Sequence, residues 1–190
     1  MNTDKASSDN STALADLGSA LRELQNVATA SGAPADIATA AAESMKLITG
    51  LLQPYAAELG SEHDFEHYVA TSGSHTLNPP MEILNRGEGS IEMSVNFGPF
   101  FRNAFGYVNG GAIASMFDTA IAHVAYAVAG RSFTANLSVD YRNPAPINTE
   151  LLVKIGLESS EGRKFIVLAQ LFNGDVLVSE AHSLLIQPKA

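Results

Sequence analysis

Residues 110–129 have the sequence GGAIASMFDTAIAHVAYAVA, which is apolar on nearly every side of a helix. Such a helix is typical of the interior of a domain, because no face of it favours water. Asn109, directly before it, is a favoured N-cap residue. The stretch therefore predicts one long buried helix from about Asn109 to Ala129.

Strand patterns lie on both sides of this helix. Before it, residues 81–97 (MEILNRGEGSIEMSVNF) predict two strands around a turn at residues 85–89, because apolar side chains alternate with polar ones. After it, turns rich in Asn, Gly and Pro separate four further strand-like runs: Ser132–Tyr141, Glu150–Ser159, Arg163–Phe172 and Val176–Ile186. An antiparallel sheet wrapped around a single helix buries both elements at once. We therefore predict an α+β domain over residues 76–190.

The first 75 residues are organised differently. Residues 1–11 are polar, and we expect a disordered tail. Apolar residues recur at helical spacing from Leu14 to about Ala30 and again from Pro34 to Leu59, where Pro54 is expected to kink or end the helix. The second helix carries one apolar stripe: Ile37, Ala41, Met45, Ile48, Leu52, Tyr55 and Leu59. We predict a helical hairpin over residues 12–60, whose stripes dock on each other and on a further surface, and a connector over residues 61–75.

Composition excludes several classes of function. The chain has no cysteine, so disulfides and thiolate chemistry are absent. His63 and His67 are four residues apart, but two ligands in a polar segment do not make a metal site, and we expect none. Ten acids against three bases in residues 1–75, within a net charge of −9, argue against nucleic-acid binding. The polar start MNTDKASSDNST and the lack of an 18-residue apolar run predict a cytoplasmic protein without membrane association.

Asp118 is the most unusual residue of the central helix. Asp is a poor helix former, and an unpaired carboxylate among apolar side chains costs several kcal/mol by order of magnitude. Burial would raise its pKa and make it a candidate base or nucleophile. The alternative is a helix face turned to water, which the charge-poor surroundings disfavour.

The helix start offers a second candidate group. Gly110 and Gly111 follow the cap residue Asn109 and would let a ligand approach backbone N–H groups at the positive end of the helix dipole. An ordinary cap with glycines for close packing is the alternative. Gly110 and Asp118 are eight residues apart, about 12 Å along a helix, which is too far to flank one reacting carbon. If both act on one substrate, the carboxylate comes from a neighbouring subunit, which predicts a dimer with shared active sites.

Two segments of the chain resemble a known family. They are NAFGYVNGGAIASMFD, residues 103–118, and FTANLSVDYRNPA, residues 133–145. Together they are similar to the hotdog-fold thioesterases of the PaaI-like and 4-hydroxybenzoyl-CoA thioesterase types, over roughly residues 76–188. The resemblance implies hydrolysis of acyl-CoA thioesters, without a cofactor, by a dimer or a dimer of dimers.

The resemblance also implies roles for individual residues. Asp118 would be the nucleophile or general base, and the N–H of Gly110 from the partner chain would polarise the thioester carbonyl. Asn103 would orient that carbonyl or the water, and the hydroxyl of Thr134 would hold the water. Asn109 and Gly111 would lie beside the substrate.

Further residues are implied for binding. The CoA phosphates would lie near basic residues at the rim of the subunit interface, for which the candidates are Arg142, Arg163 and Lys164. The acyl pocket would be lined by Phe100, Phe101, Phe105 and Met116; the alternative is that these residues belong to the core. The chain departs from the family pattern at Asn109, where a His is usual, and at Asn136, where an acid is common.

Two other functions stay open. The first is a hotdog hydratase or dehydratase, which would need a His paired with an acid, and no His occurs in the motif. The second is a non-catalytic acyl-CoA-binding or scaffold protein, silenced by the change at Asn109. Release of free CoA separates an enzyme from a binder.

Overall fold

The structure is a computed structural model that describes residues 3–55 and 76–189, with side chains from residue 12 onward. It divides into two units, Met1–His75 and Thr76–Ala190. The predicted connector at residues 61–75, with His63 and His67, and the end of the predicted hairpin at residues 56–60 lie outside the described residues.

The first unit contains two long helices, α1 over Thr3–Ala30 and α2 over Ala35–Leu52. Helix α1 begins well before Leu14 and includes most of the segment predicted as a tail. No Gly or Pro occurs in residues 3–17, and each polar residue there lowers helix stability by less than about 1 kcal/mol, so the helix extends toward the N-terminus.

Prolines set both ends of α2. Pro34 is its N-cap residue, and its last α-helical residue is Leu52, followed by a short 3-10 helix over Gln53–Tyr55 that contains Pro54. The break in the α-helix falls next to Pro54, as predicted, while residues 56–59 of the predicted helix lie outside the described residues. No residue of α2 is buried, so the predicted docking of its apolar stripe is absent within the described part of one chain.

The second unit is a six-stranded antiparallel sheet with one long helix. The helix is α3, Gly110–Ala129, and a short 3-10 helix covers Pro99–Phe101. The strands are β1 Met81–Gly87, β2 Ser90–Asn96, β3 Phe133–Tyr141, β4 Glu150–Glu161, β5 Lys164–Asn173 and β6 Val176–Ile186. They lie in the order β1-β2-β4-β5-β6-β3, with every pair antiparallel.

The core lies between α3 and one face of the sheet. Helix α3 buries Ile113, Met116, Phe117, Ala120, Ile121, Val124 and Ala125. Alternate residues of the strands meet them, among them Met93, Val153 and Val167, each at most 1% exposed. The predicted sheet wrapped around a central helix, the hotdog arrangement, is confirmed.

One side of α3 is not covered. Asp118, Ala122, His123 and Tyr126 are exposed, so the prediction of a helix buried on all sides is wrong for a single chain. By length and composition α3 is apolar enough to cross a membrane, but its other side packs on the sheet as a core helix does.

Strand β3 lies at one edge of the sheet and pairs with β6 alone among the described strands. Most of its residues are exposed. An edge strand of this kind presents backbone N–H and C=O groups that can pair with another chain.

Candidate functional site

The start of α3 is held in place by Asn109. Its side-chain Oδ1 accepts a hydrogen bond from the Gly111 N–H at 2.8 Å, and its backbone carbonyl accepts from Ala112 and Ile113. Asn109 is therefore an N-cap whose side chain is occupied. The backbone N–H of Gly110 donates no hydrogen bond to any of the described residues. It is therefore available to a ligand at the positive end of the helix dipole.

Tyr141 fixes the Gly110 peptide from the end of β3. Its phenol donates a 2.8 Å hydrogen bond to the Gly110 carbonyl, and a Cβ added at Gly110 would lie 3.3 Å from its ring. Close approach of the ring thus favours glycine here. Sequence reasoning missed this contact, which joins positions 31 residues apart.

Asn103 organises the loop before α3. Its Oδ1 accepts from the N–H groups of Phe105 and Tyr107 at 2.8 and 3.2 Å, and its Nδ2 donates to the Val108 carbonyl at 3.4 Å. Nδ2 carries a second hydrogen, which is the part of the side chain left for a substrate carbonyl or a water. The role implied for Asn103 stays a prediction.

Asp118 and Thr134 are paired. The Thr134 hydroxyl donates to Asp118 Oδ1 at 2.9 Å, linking the exposed side of α3 to the start of β3. Both residues are exposed in the single chain, so the predicted burial of Asp118 is wrong there, since the sheet covers only the other side of α3. The pair leaves Oδ2 open for a proton or for an electrophilic carbon.

The two ends of this arrangement do not meet within one chain. Gly110 and Asp118 belong to one continuous helix. Eight residues at 1.5 Å each separate them by about 12 Å along its axis. A site that uses both groups on one carbonyl therefore takes them from two chains.

The three candidate bases do not form one cluster. Arg142 follows Tyr141, the last residue of β3. Tyr141 lies opposite Ser179 of β6, and Ser179 lies opposite Leu171 of β5. Lys164 begins β5 beside Arg163, so seven residues of strand separate it from Leu171, about 23 Å. Arg163 donates to the Gln187 carbonyl at 2.8 Å. A single phosphate group cannot contact all three bases.

Arg142 is also engaged by acids. Its guanidinium binds Glu180 Oε1 at 2.7 Å and Asp140 Oδ2 at 3.2 Å. The hydrogen bond to Glu180 is the main cause that raises the pKa of Arg142, and the same bond lowers the pKa of Glu180. A phosphate would have to compete with both carboxylates for this side chain.

We expect Arg142→Gln to raise the pKa of Glu180 toward the ordinary glutamate value of about 4.3. Because the pKa of Glu180 is lowered in the folded protein, the Arg142–Glu180 pair stabilises the fold at pH values above the ordinary glutamate pKa. This stabilisation is lost as the pH falls through the lowered pKa of Glu180. NMR titration of the Glu180 side-chain carboxyl measures the change, with Arg163→Gln as the control. An unchanged Glu180 titration in Arg142→Gln would contradict the pairing.

The predicted acyl pocket is not assembled within one chain. Phe101 and Met116 are core residues, at 9% and 0% exposure, so of the two alternatives for them the core holds in the single chain. Phe100 packs edge-on against Phe101, and Phe105 is 86% exposed. Phe105 stays a candidate for substrate contact, because a fully exposed aromatic ring gains from covering by a ligand or a second subunit.

Asn78 is a buried polar residue beside α3 that sequence reasoning missed. Its Nδ2 donates to Thr119 Oγ1 at 2.6 Å, and its Oδ1 accepts from Ser115 Oγ at 2.8 Å. The side chain, 8% exposed, fastens the segment before β1 to the turn of α3 that precedes and includes Asp118. No periodic pattern signals a contact between positions 37 and 41 residues apart.

Replacing Asn78 with Ala should destabilise the domain by about 1–3 kcal/mol, because two partly buried hydroxyls lose their partner. Urea unfolding measures the effect, with Asn96→Ala at the exposed end of β2 as the control. Equal unfolding midpoints for the two variants would contradict a structural role for Asn78.

The two histidines within the described residues, His123 and His182, do not form a metal or acid–base site with Asp118. Partial desolvation by neighbouring groups, and then the charge of Arg86, lower the pKa of His123, although its side chain still reaches solvent. His182 lies 3.9 Å from Glu158, but both are on the face of the sheet turned away from α3. Over residues 3–55 and 76–189, no three His, Asp or Glu side chains converge as metal ligands.

An antiparallel sheet wrapped around the single long helix α3 is the hotdog fold. The candidate site adds an N–H donor at the start of this helix and a carboxylate two turns later. Residues 105–180 match the family model described as Thioesterase superfamily. The C-terminal unit has the hotdog fold, and its residues 105–180 are similar to this superfamily.

Individual proteins resemble the chain to different extents. Acyl-coenzyme A thioesterase THEM4 of Xenopus laevis is 33% identical over 107 residues, which are 55% of this chain and 48% of that protein. A thioesterase superfamily protein of known crystal structure aligns over 92% of this chain and 90% of its own at 21% identity, with a TM-score of 0.75. A hypothetical thioesterase of Streptococcus pneumoniae, solved with coenzyme A, covers 56% of this chain and 87% of its own at 16% identity, with a TM-score of 0.54. The chain spans about half the length of the curated relatives.

Proposed function

We propose that the C-terminal unit hydrolyses an acyl-CoA or aryl-acyl-CoA thioester to the free acid and CoA. The observation that carries the proposal is the Asp118–Thr134 pair at 2.9 Å on the exposed side of α3, inside the stretch that matches the superfamily. The proposal is supported by the name of the Xenopus laevis relative and by the coenzyme A in the structure of the Streptococcus pneumoniae protein.

In the proposed reaction Asp118 acts on the thioester carbonyl carbon. As a general base it takes a proton from a water held by Thr134, and the resulting hydroxide adds to the carbon. As a nucleophile it adds directly, and water then hydrolyses the anhydride. In both cases the C–S bond breaks and the CoA sulfur leaves and takes up a proton.

The helix start supplies the electrophilic half of the site. The developing oxyanion would accept a hydrogen bond from the N–H of Gly110, which has no other acceptor among the described residues. Preorganised donors of this kind contribute a large share of the rate enhancement in acyl transfer. Asn103 would hold the substrate carbonyl or the water with its second Nδ2 hydrogen.

The proposal includes a homodimer joined along β3. Antiparallel pairing of two β3 strands about Ser138 would bring Thr134 near Tyr141 of the partner subunit, because the bulge between Thr134 and Asn136 puts both side chains on the side of the sheet that faces α3. Thr134 holds Asp118 and Tyr141 holds Gly110, so this pairing brings the carboxylate of one chain toward the helix start of the other. It would also cover the exposed edge of β3 and the exposed side of α3.

The proposal is tested by thiol release from short-chain, long-chain and aryl acyl-CoAs, measured with Ellman's reagent. We expect release of free CoA from at least one class, and a dimer or a multiple of it by light scattering. A protein that releases no CoA from any of them would overturn the proposed activity.

A second candidate function is binding of acyl-CoA without turnover. It is favoured by Asn109, which stands where the family pattern has a His and whose side-chain oxygen is already bound to the Gly111 N–H. Thermal stabilisation by acyl-CoA without CoA release would support the binder and contradict the enzyme.

A further inference from the structure

Tyr141 joins the edge of the sheet to the start of α3. It is the last residue of β3, and its side chain is 52% exposed. Its hydroxyl donates to the Gly110 carbonyl at 2.8 Å, and its ring packs beside Gly110. The contact therefore acts on the residue whose N–H is the candidate oxyanion donor.

The start of α3 has little order of its own. Its first two residues, Gly110 and Gly111, are glycines, which have the widest backbone freedom of any residue. The first N–H groups of a helix have no partner within the helix, and helix ends fray. A hydrogen-bond donor stabilises an oxyanion strongly only if its direction is fixed before the charge develops. A catalytic donor at this position therefore needs support from outside the helix.

Asn109 supplies part of that support. Its side chain accepts from the Gly111 N–H at 2.8 Å, and its own N–H donates to the Phe101 carbonyl at 2.8 Å. These two bonds hold the residues on either side of Gly110. Within the described residues, the Tyr141 hydroxyl makes the one hydrogen bond to Gly110 that comes from outside α3. The freedom that remains at Gly110 is therefore limited by Tyr141.

Tyr141 is itself firmly placed. Its backbone lies opposite Ser179 of β6, and the N–H groups of Arg142 and Asn143 both donate to the Val178 carbonyl at 2.9 Å. A side chain carried by a paired strand has less freedom than one carried by a loop. The sheet can therefore fix the helix start through Tyr141.

We propose that Tyr141 is a positioning residue of the thioesterase reaction. By binding the Gly110 carbonyl, its hydroxyl fixes the backbone of Gly110 and so directs the N–H of this residue at the oxyanion. The inference rests on the proposed function, in which that N–H stabilises the developing charge. Tyr141 and Gly110 belong to the same chain, so both act with Asp118 of the partner subunit.

The hydrogen of the Tyr141 hydroxyl is already used. A neutral phenol carries one hydroxyl hydrogen, and the Gly110 carbonyl accepts it. Donation to an oxyanion would break this bond and release the helix start. The hydroxyl is therefore expected to act through Gly110, and removal of the Gly110 N–H should remove its effect.

Tyr141→Phe removes the hydroxyl and keeps the ring. For the acyl-CoA that the wild type hydrolyses fastest, we expect kcat to fall by about 10–100-fold, the range expected for misplacing a catalytic group by up to about 1 Å. KM should stay unchanged, because the donor acts in the transition state. The control is Tyr107→Phe, which removes the hydroxyl of a tyrosine that is 43% exposed and makes no side-chain hydrogen bond to the described residues. A wild-type kcat in Tyr141→Phe would overturn the proposal.

A double-mutant cycle separates a positioning role from a structural one. Gly110→Ala and Gly110→Pro both add a Cβ beside the Tyr141 ring, but only Ala keeps the N–H. Tyr141→Phe should still lower kcat in the Gly110→Ala background and should have no further effect in the Gly110→Pro background. An equal effect in the two backgrounds would mean that the hydroxyl acts elsewhere, which would also overturn the proposal.

Hydrogen exchange tests the same contact without turnover. The amides of residues 111–113 all donate to Asn109. They should exchange about 3–10-fold faster in Tyr141→Phe, the fold-change expected for loss of one hydrogen bond that holds the helix start, and at the wild-type rate in Tyr107→Phe. A wild type that releases no CoA would refute the proposed function and leave this exchange test intact. Unchanged exchange in Tyr141→Phe would contradict the role of Tyr141 itself.

Discussion

Asp118→Asn should lower kcat for acyl-CoA hydrolysis by about 10²–10⁴-fold, the range expected for loss of a catalytic base. Asn keeps an oxygen that accepts from the Thr134 hydroxyl, but it can neither take a proton at neutral pH nor add to a carbonyl. Asp118 is exposed, and Asn has nearly the same shape and keeps the bond to Thr134, so the variant should unfold at the same temperature as the wild type. Steady-state thiol release and thermal melting measure the two quantities.

The matched control is Asp175→Asn, which removes one exposed carboxylate from the turn between β5 and β6. Its kcat should equal that of the wild type. A wild-type rate in Asp118→Asn would exclude this carboxylate from the chemistry and leave the exposed side of α3 without a catalytic role.

Gly110→Pro should reduce kcat by about 10²–10³-fold, the cost of removing one oxyanion donor. Gly110 is the first residue of α3, the helical position at which proline is best tolerated, because its missing N–H has no helical partner. Proline therefore removes the donor without breaking the helix. Parallel assays of thiol release and circular dichroism test this expectation.

Gly110→Ala is the control for Gly110→Pro. Both substitutions add a Cβ that lies about 3.3 Å from the Tyr141 ring, but Ala keeps the N–H. The difference in rate between the two variants isolates the donor. If Ala and Pro reduce kcat equally, crowding against Tyr141 accounts for the loss and the oxyanion role is wrong.

The fold was predictable because its signals are local and periodic. The helix at residues 110–129, the alternation in β2 and the turns around Gly162 and Gly174 each follow from neighbouring residues. Both glycines adopt the positive φ that such turns favour, at 57° and 55°. The extent of α1 was less predictable, because polar residues without Gly or Pro permit a helix without requiring one.

The candidate site was only partly predictable. Asp118 stands out by residue type, but its exposure depends on which side of α3 the sheet covers, and alanine-rich sequence does not mark that side. The contacts of Asn78 and Tyr141 join positions far apart in the chain and leave no periodic trace. Arg142, beyond the end of β3, lies level with the far end of β5, whereas Arg163 and Lys164 lie at its start. Strand length sets this separation, and residue type does not reveal it.

The central claim is that one active site takes Asp118 from one chain and Gly110 from the other, and mixing two inactive variants tests it most directly. Asp118→Asn and Gly110→Pro chains are combined in equal amounts, unfolded and refolded together, and assayed for CoA release. Half of the dimers are then mixed, and each contains one site in which both groups are intact, so activity should return to about a quarter of the wild-type value. Activity no greater than that of the separate variants would contradict a site shared between subunits.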